Sequence, residues 1–364
     1  MVVQAATRRI ICLSPNEVTE EQWRAWQQIQ ETVPLYSSPY FRPEFTQAVA
    51  KVRSNVEIGI IEEKNEPVGF FPFERHRFQI GKPVGGRLSD IHAAIVAPEI
   101  TWSARELLSG CKLKAWDFQF LPITQTEFAG THPVEMESSV IDLSKGYAHY
   151  ESECKKNHGK EFKQLLRKSR KIEREIGPLK LEWQSADRAW LHRMMEWKSQ
   201  QYHRTKKTNL FSFNWIRQLL ENILSHRDRP FAGMLSTLTA GDNIVAVHFG
   251  MSSHGVLHYW FPAYDVRFEK YSPGLILLLK MAQAAEKNGL KRIDLGEGQE
   301  QYKRNFRTGY TLVTSGGVEV NGLTSLLRNS MRQTRNWMKS SPLGAPARFS
   351  ARMIRPVRDW LSFR

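Results

Sequence analysis

Hydrophobic positions change period several times along this chain, and each change predicts an element. Trp23, Trp26 and Ile29 recur at steps of three behind Glu20 and Glu21. Such a stripe, with acids in the first turn at the positive end of the helix dipole, predicts a helix over "TEEQWRAWQQIQETV". "SPYFRPEFTQAVAKV" predicts a second, shorter helix. "VEIGIIEEKNEPVGFFPFERH" reads as strand, polar turn, strand, rich in β-branched and aromatic residues. "IHAAIVAP", "AWDFQFLP" and "SSVIDLS" predict further short strands, so an α+β unit closes near residue 145.

The second half opens with Phe162, Leu165, Leu166, Ile172 and Ile176 on one helix face and Lys and Arg on the other. Gly177-Pro178 ends that helix, because glycine closes a helix cheaply and proline cannot continue one. "LKLEWQS" predicts a strand, and "DRAWLHRMMEWKSQQYHRT" and "FNWIRQLLENILSH" predict amphipathic helices. Three strands follow in "FAGMLSTLTAGDNIVAVHFGMSSHGVLHYWFPAYD", then a helix in "PGLILLLKMAQAAEKNG" and a strand in "LKRIDLG". "GIIEEKNEPVGFFPF" and "LSTLTAGDNIVAVHFG" share one grammar of strand, polar turn and strand. That echo, with a length beyond one ordinary core, predicts two copies of one unit: a lobe over 1–145, a second over 146–322, and a basic tail over 323–364.

Composition narrows the class. The chain is 41% hydrophobic, enough for real cores. Cys12, Cys111 and Cys154 are odd in number and far apart, which excludes a disulfide framework and fits a reducing cytoplasm. Ligand spacings such as CxxC or HExxH are absent, so no metal is expected. The longest purely apolar run, Leu275 to Leu279, is far short of the ~20 residues that cross a bilayer, and the N-terminus lacks a signal-peptide core. A soluble, cytoplasmic protein is expected.

The net charge of +15 is concentrated. Residues 155–174 hold nine Lys/Arg against two Glu, and residues 323–364 hold nine against one Asp. These two segments account for the whole excess, so the rest is neutral. Each suits an anionic partner: nucleic acid, phospholipid or an acidic carrier. Leu326, Trp337, Phe349, Trp360 and Phe363 among the arginines of the tail point to an anionic membrane surface, with the protein peripheral at the inner membrane.

"LLRKSRKIEREIG", "WKSQQYHRT", "YSPGLILL" and "DLGEGQEQYKRNF", in this order, resemble the GNAT-like acetyltransferase domain of the cellulose biosynthesis protein CelD and its relatives. "SPYF", "VGFFPFERH" and "GGRLSDIHAAIV" extend the resemblance over nearly everything before residue 320. FemAB-type aminoacyl-tRNA transferases, built as tandem GNAT units, are more distantly similar. The resemblance implies an α+β fold of tandem GNAT-like lobes with mixed sheets, the first lobe degenerate. It implies transfer of an acetyl or other acyl group from acetyl-CoA to an amine or hydroxyl of a sugar or polysaccharide precursor. Two rival readings are an aminoacyl-tRNA-dependent transferase and a non-catalytic accessory protein of a polysaccharide synthase.

In the GNAT plan a pantetheine arm lies along a strand edge, expected here at Ile244–Met251, and the pyrophosphate meets the start of the next helix. Tyr271, Ser272 and Gly274 fall there: Ser272 suits an N-cap, and Gly274 lets a phosphate approach the backbone. Ile276 stands where such loops carry a second small residue. Within "RIDLGEGQEQYKRNF", Asp294 is expected to orient Lys303 or Tyr302 or to act as base, and Gly296 and Gly298 to turn the chain beside a substrate. Tyr302 is expected to donate to the leaving thiolate, and Lys303 to hold a phosphate or oxyanion. The alternative is an ordinary strand exit with a solvated loop. His248 reads first as a satisfied core histidine and second as a general base. Trp260, Tyr264 and Asp265 are candidates for the acceptor pocket, against core aromatics and a turn-closing acid.

Overall fold

A computed structural model describes residues 8–128, 134–228, 230–298, 300–320 and 363. The first half runs β1 (Arg8–Leu13), α1 (Glu20–Thr32), α2 (Pro43–Ala50), β2 (Val56–Glu63), β3 (Glu66–His76), β4 (Ile80–Lys82), β5 (Ile95–Val96), α3 (Ala104–Gly110), β6 (Ala115–Pro122) and β7 (Val134–Asp142). The second runs α4 (Tyr147–Glu175), β8 (Leu179–Glu182), α5 (Arg188–Arg204), α6 (Asn214–Leu224), β9 (Phe231–Ala240), β10 (Asn243–Ser253) and β11 (Val256–Tyr264). It continues with α7 (Pro273–Ala284), β12 (Arg292–Glu297), α8 (Gln301–Phe306) and β13 (Gly309–Glu319).

Local chemistry accounts for most of these elements. Thr19 and Gln22 form a reciprocal capping box at α1, each side chain accepting the other's backbone N–H. α7 buries Ile276, Leu277, Leu278, Leu279 and Met281, apolar on nearly every side because it is enclosed by the core. α4 begins eight residues before the predicted 155–174 and carries one non-helical residue, His158. β1, α3 and β13 were not legible as elements. β1 is a short edge strand, and β13 (GYTLVTSGGVE) is interrupted by two glycines.

All strands join one sheet in the order β1-β2-β3-β4-β6-β13-β7-β12-β11-β10-β9-β8, with β5 paired to β3 off that path. The order is a near-palindrome. Each half supplies strand, two helices, two antiparallel strands, another strand, a helix and a further strand; the last two pair in parallel, β4 with β6 and β11 with β12. At the centre the halves exchange strands. β13, from the end of the chain, lies between β6 and β7, while β7, from the first half, pairs β12. The hairpins singled out as an echo are β2–β3 and β9–β10, at equivalent places in the two halves.

Helices cover both faces. α4 and α7 seal one core against β9–β12, with Phe162, Leu165, Ile276 and Ile293 buried. A second core mixes α5 and α6 residues with Tyr40, Phe45 and Val84 of the first half. Fully buried Arg42 ties the halves further: it pairs with Glu44 at 2.6 Å and Glu31 at 3.3 Å, and lies 3.2 Å from His254 in the β10–β11 turn. The tail 323–364, and with it the expected membrane contact, lies outside the described residues except Phe363. Phe363 is buried, and its carbonyl accepts from Trp215 Nε1 at 2.7 Å. Among the described residues no helix is long and apolar enough to cross a membrane.

Candidate active site

Two parallel strands part at the centre of the second half. β11 pairs β12 only through Val256↔Arg292, Leu257↔Ile293 and His258↔Asp294. Beyond that point each strand follows its other neighbour. β11 stays with β10 after an irregularity opposite Gly250, and β12 stays with β7 after one between Asp294 and Gly296. A wedge opens between Tyr259–Tyr264 and the end of β12. The open edge belongs to β11. This corrects the expectation for Ile244–Met251, since β10 is paired on both sides along that stretch. Pro262 fits an open edge, because proline cannot donate to a ladder. Its carbonyl instead accepts from Lys198 Nζ of α5 at 3.0 Å.

One end of the wedge leads to the start of α7. Ser272 occupies the N-cap position, but it is left-handed (φ 57°, ψ 53°) and its side chain does not cap. Its hydroxyl accepts from Lys168 Nζ of α4 at 2.8 Å instead. The N–H groups of Leu275 and Ile276 are taken by the Ser272 carbonyl, which leaves that of Gly274 open among the described residues. An added Cβ at Gly274 would meet only Tyr264, at an ordinary 3.6 Å. Tyr271 is buried with its hydroxyl bound to Glu175 Oε2 at 2.6 Å, so it supports this helix start rather than facing a ligand.

The other end is built from both halves. Asp90, in the loop before β5, lies 3.1 Å from His258 Nε2; the carboxylate is 29% exposed and the imidazole 2%. Tyr40 packs its edge against His258 at 4.8 Å and against Trp260 at 5.9 Å. Gly296 (φ +73°) is what admits Asp90, because a Cβ there would stand 2.5 Å from Asp90 Oδ2. Trp260 is therefore at the site. Tyr264 lies at the α7 end, bound to Glu269 at 3.1 Å, and Asp265 closes a turn by pairing with Arg267 at 2.6 Å.

The strand exit is partitioned differently from expectation. Asp294 pairs with Arg292 at 2.8 Å. Lys303 is 8% exposed and donates to the Glu297 carbonyl at 2.7 Å, so it ties the loop to β12 instead of presenting a free ammonium. Burial, with the negative charges of Glu300 and Asp90 behind it, pushes the Tyr302 phenol up and keeps it protonated. Burial also raises the Glu297 carboxyl, a rise that Lys303 counters and that Glu300 and Asp90 reinforce.

His248 is wholly buried and stacks on Tyr259 at 4.1 Å, and neither ring nitrogen has a partner among the described residues. Burial, then His258, pushes its pKa well below the usual histidine range. With no exposed atom it cannot serve as base to a substrate. Nor is it the satisfied core histidine expected. Lys198 is held by burial, then by the nearby Lys207 charge, at a pKa of about 8. Sequence reasoning missed Asp90, His258, Tyr40, Lys168 and Lys198. Asp90, Tyr40, Lys168 and Lys198 lie in the motifs "GGRLSDIHAAIV", "SPYF", "LLRKSRK" and "WKSQQYHRT", which already carried the resemblance.

Residues 159–304 match the family model of the acetyltransferase (GNAT) domain. No curated protein matches the chain. Among solved structures, FemX superposes with a TM-score of 0.57 at 9% identity, over 86% of this chain and 98% of its own. The C-terminal domain of a protein described as a lysylphosphatidylglycerol synthetase from Agrobacterium fabrum gives 0.54 at 12% identity, over 85% of this chain and 94% of its own. A conserved protein of unknown function from Bacteroides thetaiotaomicron gives 0.52 at 10%, over 82% and 97%. At such identities the likeness concerns the fold alone. The fold is GNAT-like, α+β around a large mixed sheet, as the sequence implied. GNAT domains generally take acetyl-CoA as acyl donor.

Proposed function

We propose that this chain transfers an acetyl or other acyl group from a CoA thioester to an amine or hydroxyl of a sugar or polysaccharide precursor, as a CelD-type acetyltransferase. The observation that carries the reading is the wedge between β11 and β12, open along Tyr259–Tyr264 and ending at the start of α7. A pantetheine arm is a short run of amides, and amides add to a free strand edge as another strand does. Five residue steps give that edge about 17 Å. At its far end Lys168 Nζ and the Gly274 N–H are positioned for phosphate oxygens. At its near end the thioester would lie beside Asp90 and His258.

The chemistry asks little more. The acceptor's nitrogen or oxygen attacks the thioester carbon, the C–S bond breaks, and the sulfur leaves as a thiolate that takes up the proton removed from the acceptor. Asp90, the exposed member of its pair, takes the acceptor's proton, with the buried His258 imidazole 3.1 Å from its carboxylate. Lys198, on the Pro262 carbonyl, brings positive charge to the edge that carries the thioester.

Titration calorimetry with acetyl-CoA, followed by mass spectrometry of amino sugars and oligosaccharides incubated with it, tests the reading. Saturable binding and an acylated acceptor are expected. A folded chain that binds no CoA would overturn it. We propose further that the chain works in the cytoplasm, with 323–364 as its contact to an anionic membrane surface. Equal vesicle binding by the full chain and by one ending at residue 322 would remove that contact.

A further inference from the structure

The outer face of α4 carries cations for which the site described above has no use. Lys160, Lys163, Arg167, Arg170 and Arg174 recur at alternating steps of three and four residues, all exposed, opposite the buried Phe162, Leu165, Ser169 and Ile172. The stripe runs about 21 Å at 1.5 Å per residue. Arg174 meets Glu175 at 3.3 Å, whereas no carboxylate among the described residues pairs with Lys160, Lys163, Arg167 or Arg170. Like charges stacked one turn apart repel, so the helix bears them at a cost. The stripe is also continuous with the wedge: Lys168, next to Arg167 on the same helix, is the residue that reaches Ser272 at the start of α7.

We propose that α4 is the docking surface for an acidic carrier protein that presents its acyl group on a phosphopantetheine arm. The proposal rests on the acyl-transfer reading and names the donor. Free CoA needs only the wedge and its mouth, and would leave the stripe unused. A carrier shares the arm and its phosphate, and its body must lie outside the mouth, where α4 is. An acidic helix laid along α4 offers carboxylates at the same three-and-four spacing. Competing partners fit less well. No aromatic side chain is exposed along 155–175, so there is nothing to stack on RNA bases. Phe162, Leu165 and Ile172 are buried beneath α4 and Leu166 packs half-buried against the same core, so the stripe itself presents cations and no apolar side chain to a bilayer. The transfer balances as with CoA: a C–N or C–O bond forms, the C–S bond breaks, and the arm leaves as a thiol.

The test uses the full chain, an acetylated bacterial acyl carrier protein and acetyl-CoA as alternative donors, and anisotropy for binding. The carrier should bind in a salt-sensitive manner. Replacing Lys160, Lys163, Arg167 and Arg170 together by Glu should raise its Kd and its KM about tenfold or more, with less than about a twofold change in kcat/KM for acetyl-CoA. Retained CoA turnover shows that the variant is folded. If acetyl-CoA supports transfer while the carrier neither binds nor donates, the docking proposal falls and the proposed function stands. Stripe-dependent binding of tRNA or of phosphatidylglycerol vesicles, without carrier binding, also overturns it. Absence of transfer from both donors overturns the function and this inference together.

Discussion

Asp90 and His258 come from opposite halves of the chain and meet 3.1 Å apart, yet only His258 sits deep enough to be fixed by packing. Asp90→Asn keeps the shape and removes the proton acceptor, so turnover should fall about 10²–10³-fold with little change in Tm. Full turnover in that variant would remove Asp90 from the mechanism. Lys303 behaves in the opposite sense. Its buried ammonium holds the Glu297 carbonyl, so Lys303→Met should lower stability by about 1–3 kcal/mol in denaturant unfolding. Unchanged stability with lost turnover would return Lys303 to the chemistry. Lys198 gives a pH signature. Burial lowers its pKa from 10.5 to about 8, so between those values the unfolded chain binds a proton that the folded chain does not. Stability of the native chain relative to Lys198→Met should therefore rise with pH across that window. A pH-independent difference would show that Lys198 titrates normally.

At the scale of elements, the wedge arises because β11 and β12 are each held more extensively by another neighbour than by one another. Their shared ladder is three residue pairs, against seven between β10 and β11. Lys168 then couples α4 to the start of α7, where its ammonium is close enough for a phosphate to compete for it. Lys168→Ala should raise KM for acetyl-CoA about tenfold and leave kcat nearly unchanged, since a charged hydrogen bond to bound donor is lost throughout the reaction. Gly274→Pro should act in the same direction by deleting an N–H, and proline is tolerated in a first helical turn. Donor KM unchanged in both variants would take the phosphate away from this helix. The elements around the site were readable because each carries its own periodicity: the all-apolar run of α7, the stripe of α4, the paired hairpins. Which strand edge was open was not readable. Openness is a property of neighbours, and the irregularity opposite Gly250 has no periodic signal of its own.

For the whole molecule, the exchange of β7 and β13 joins the halves into one sheet, and the contact of Arg42 with His254 and the mixed core beside α5 and α6 bind them again. Calorimetry of the full chain should show one cooperative transition, because melting either half exposes unpaired edges in the other. Two well-separated transitions would show that the halves melt independently despite the shared sheet. Sequence by itself determined the α+β class, the repeated hairpin, most helices and strands, the basic helix and the glycine-bearing exit of β12. These follow from short-range rules of period, capping and turn chemistry, and a resemblance in motif order added the GNAT fold. Only tertiary structure decided which of the candidate residues meet. Asp90 lies 168 positions before His258, and nothing local links them; they touch because the sheet folds the halves together. Asp294, Lys303 and His248 carry the right chemical groups, but Arg292, the Glu297 carbonyl and complete burial respectively claim them. A side chain's chemistry is written in its residue type, whereas its freedom to act depends on what the fold packs against it.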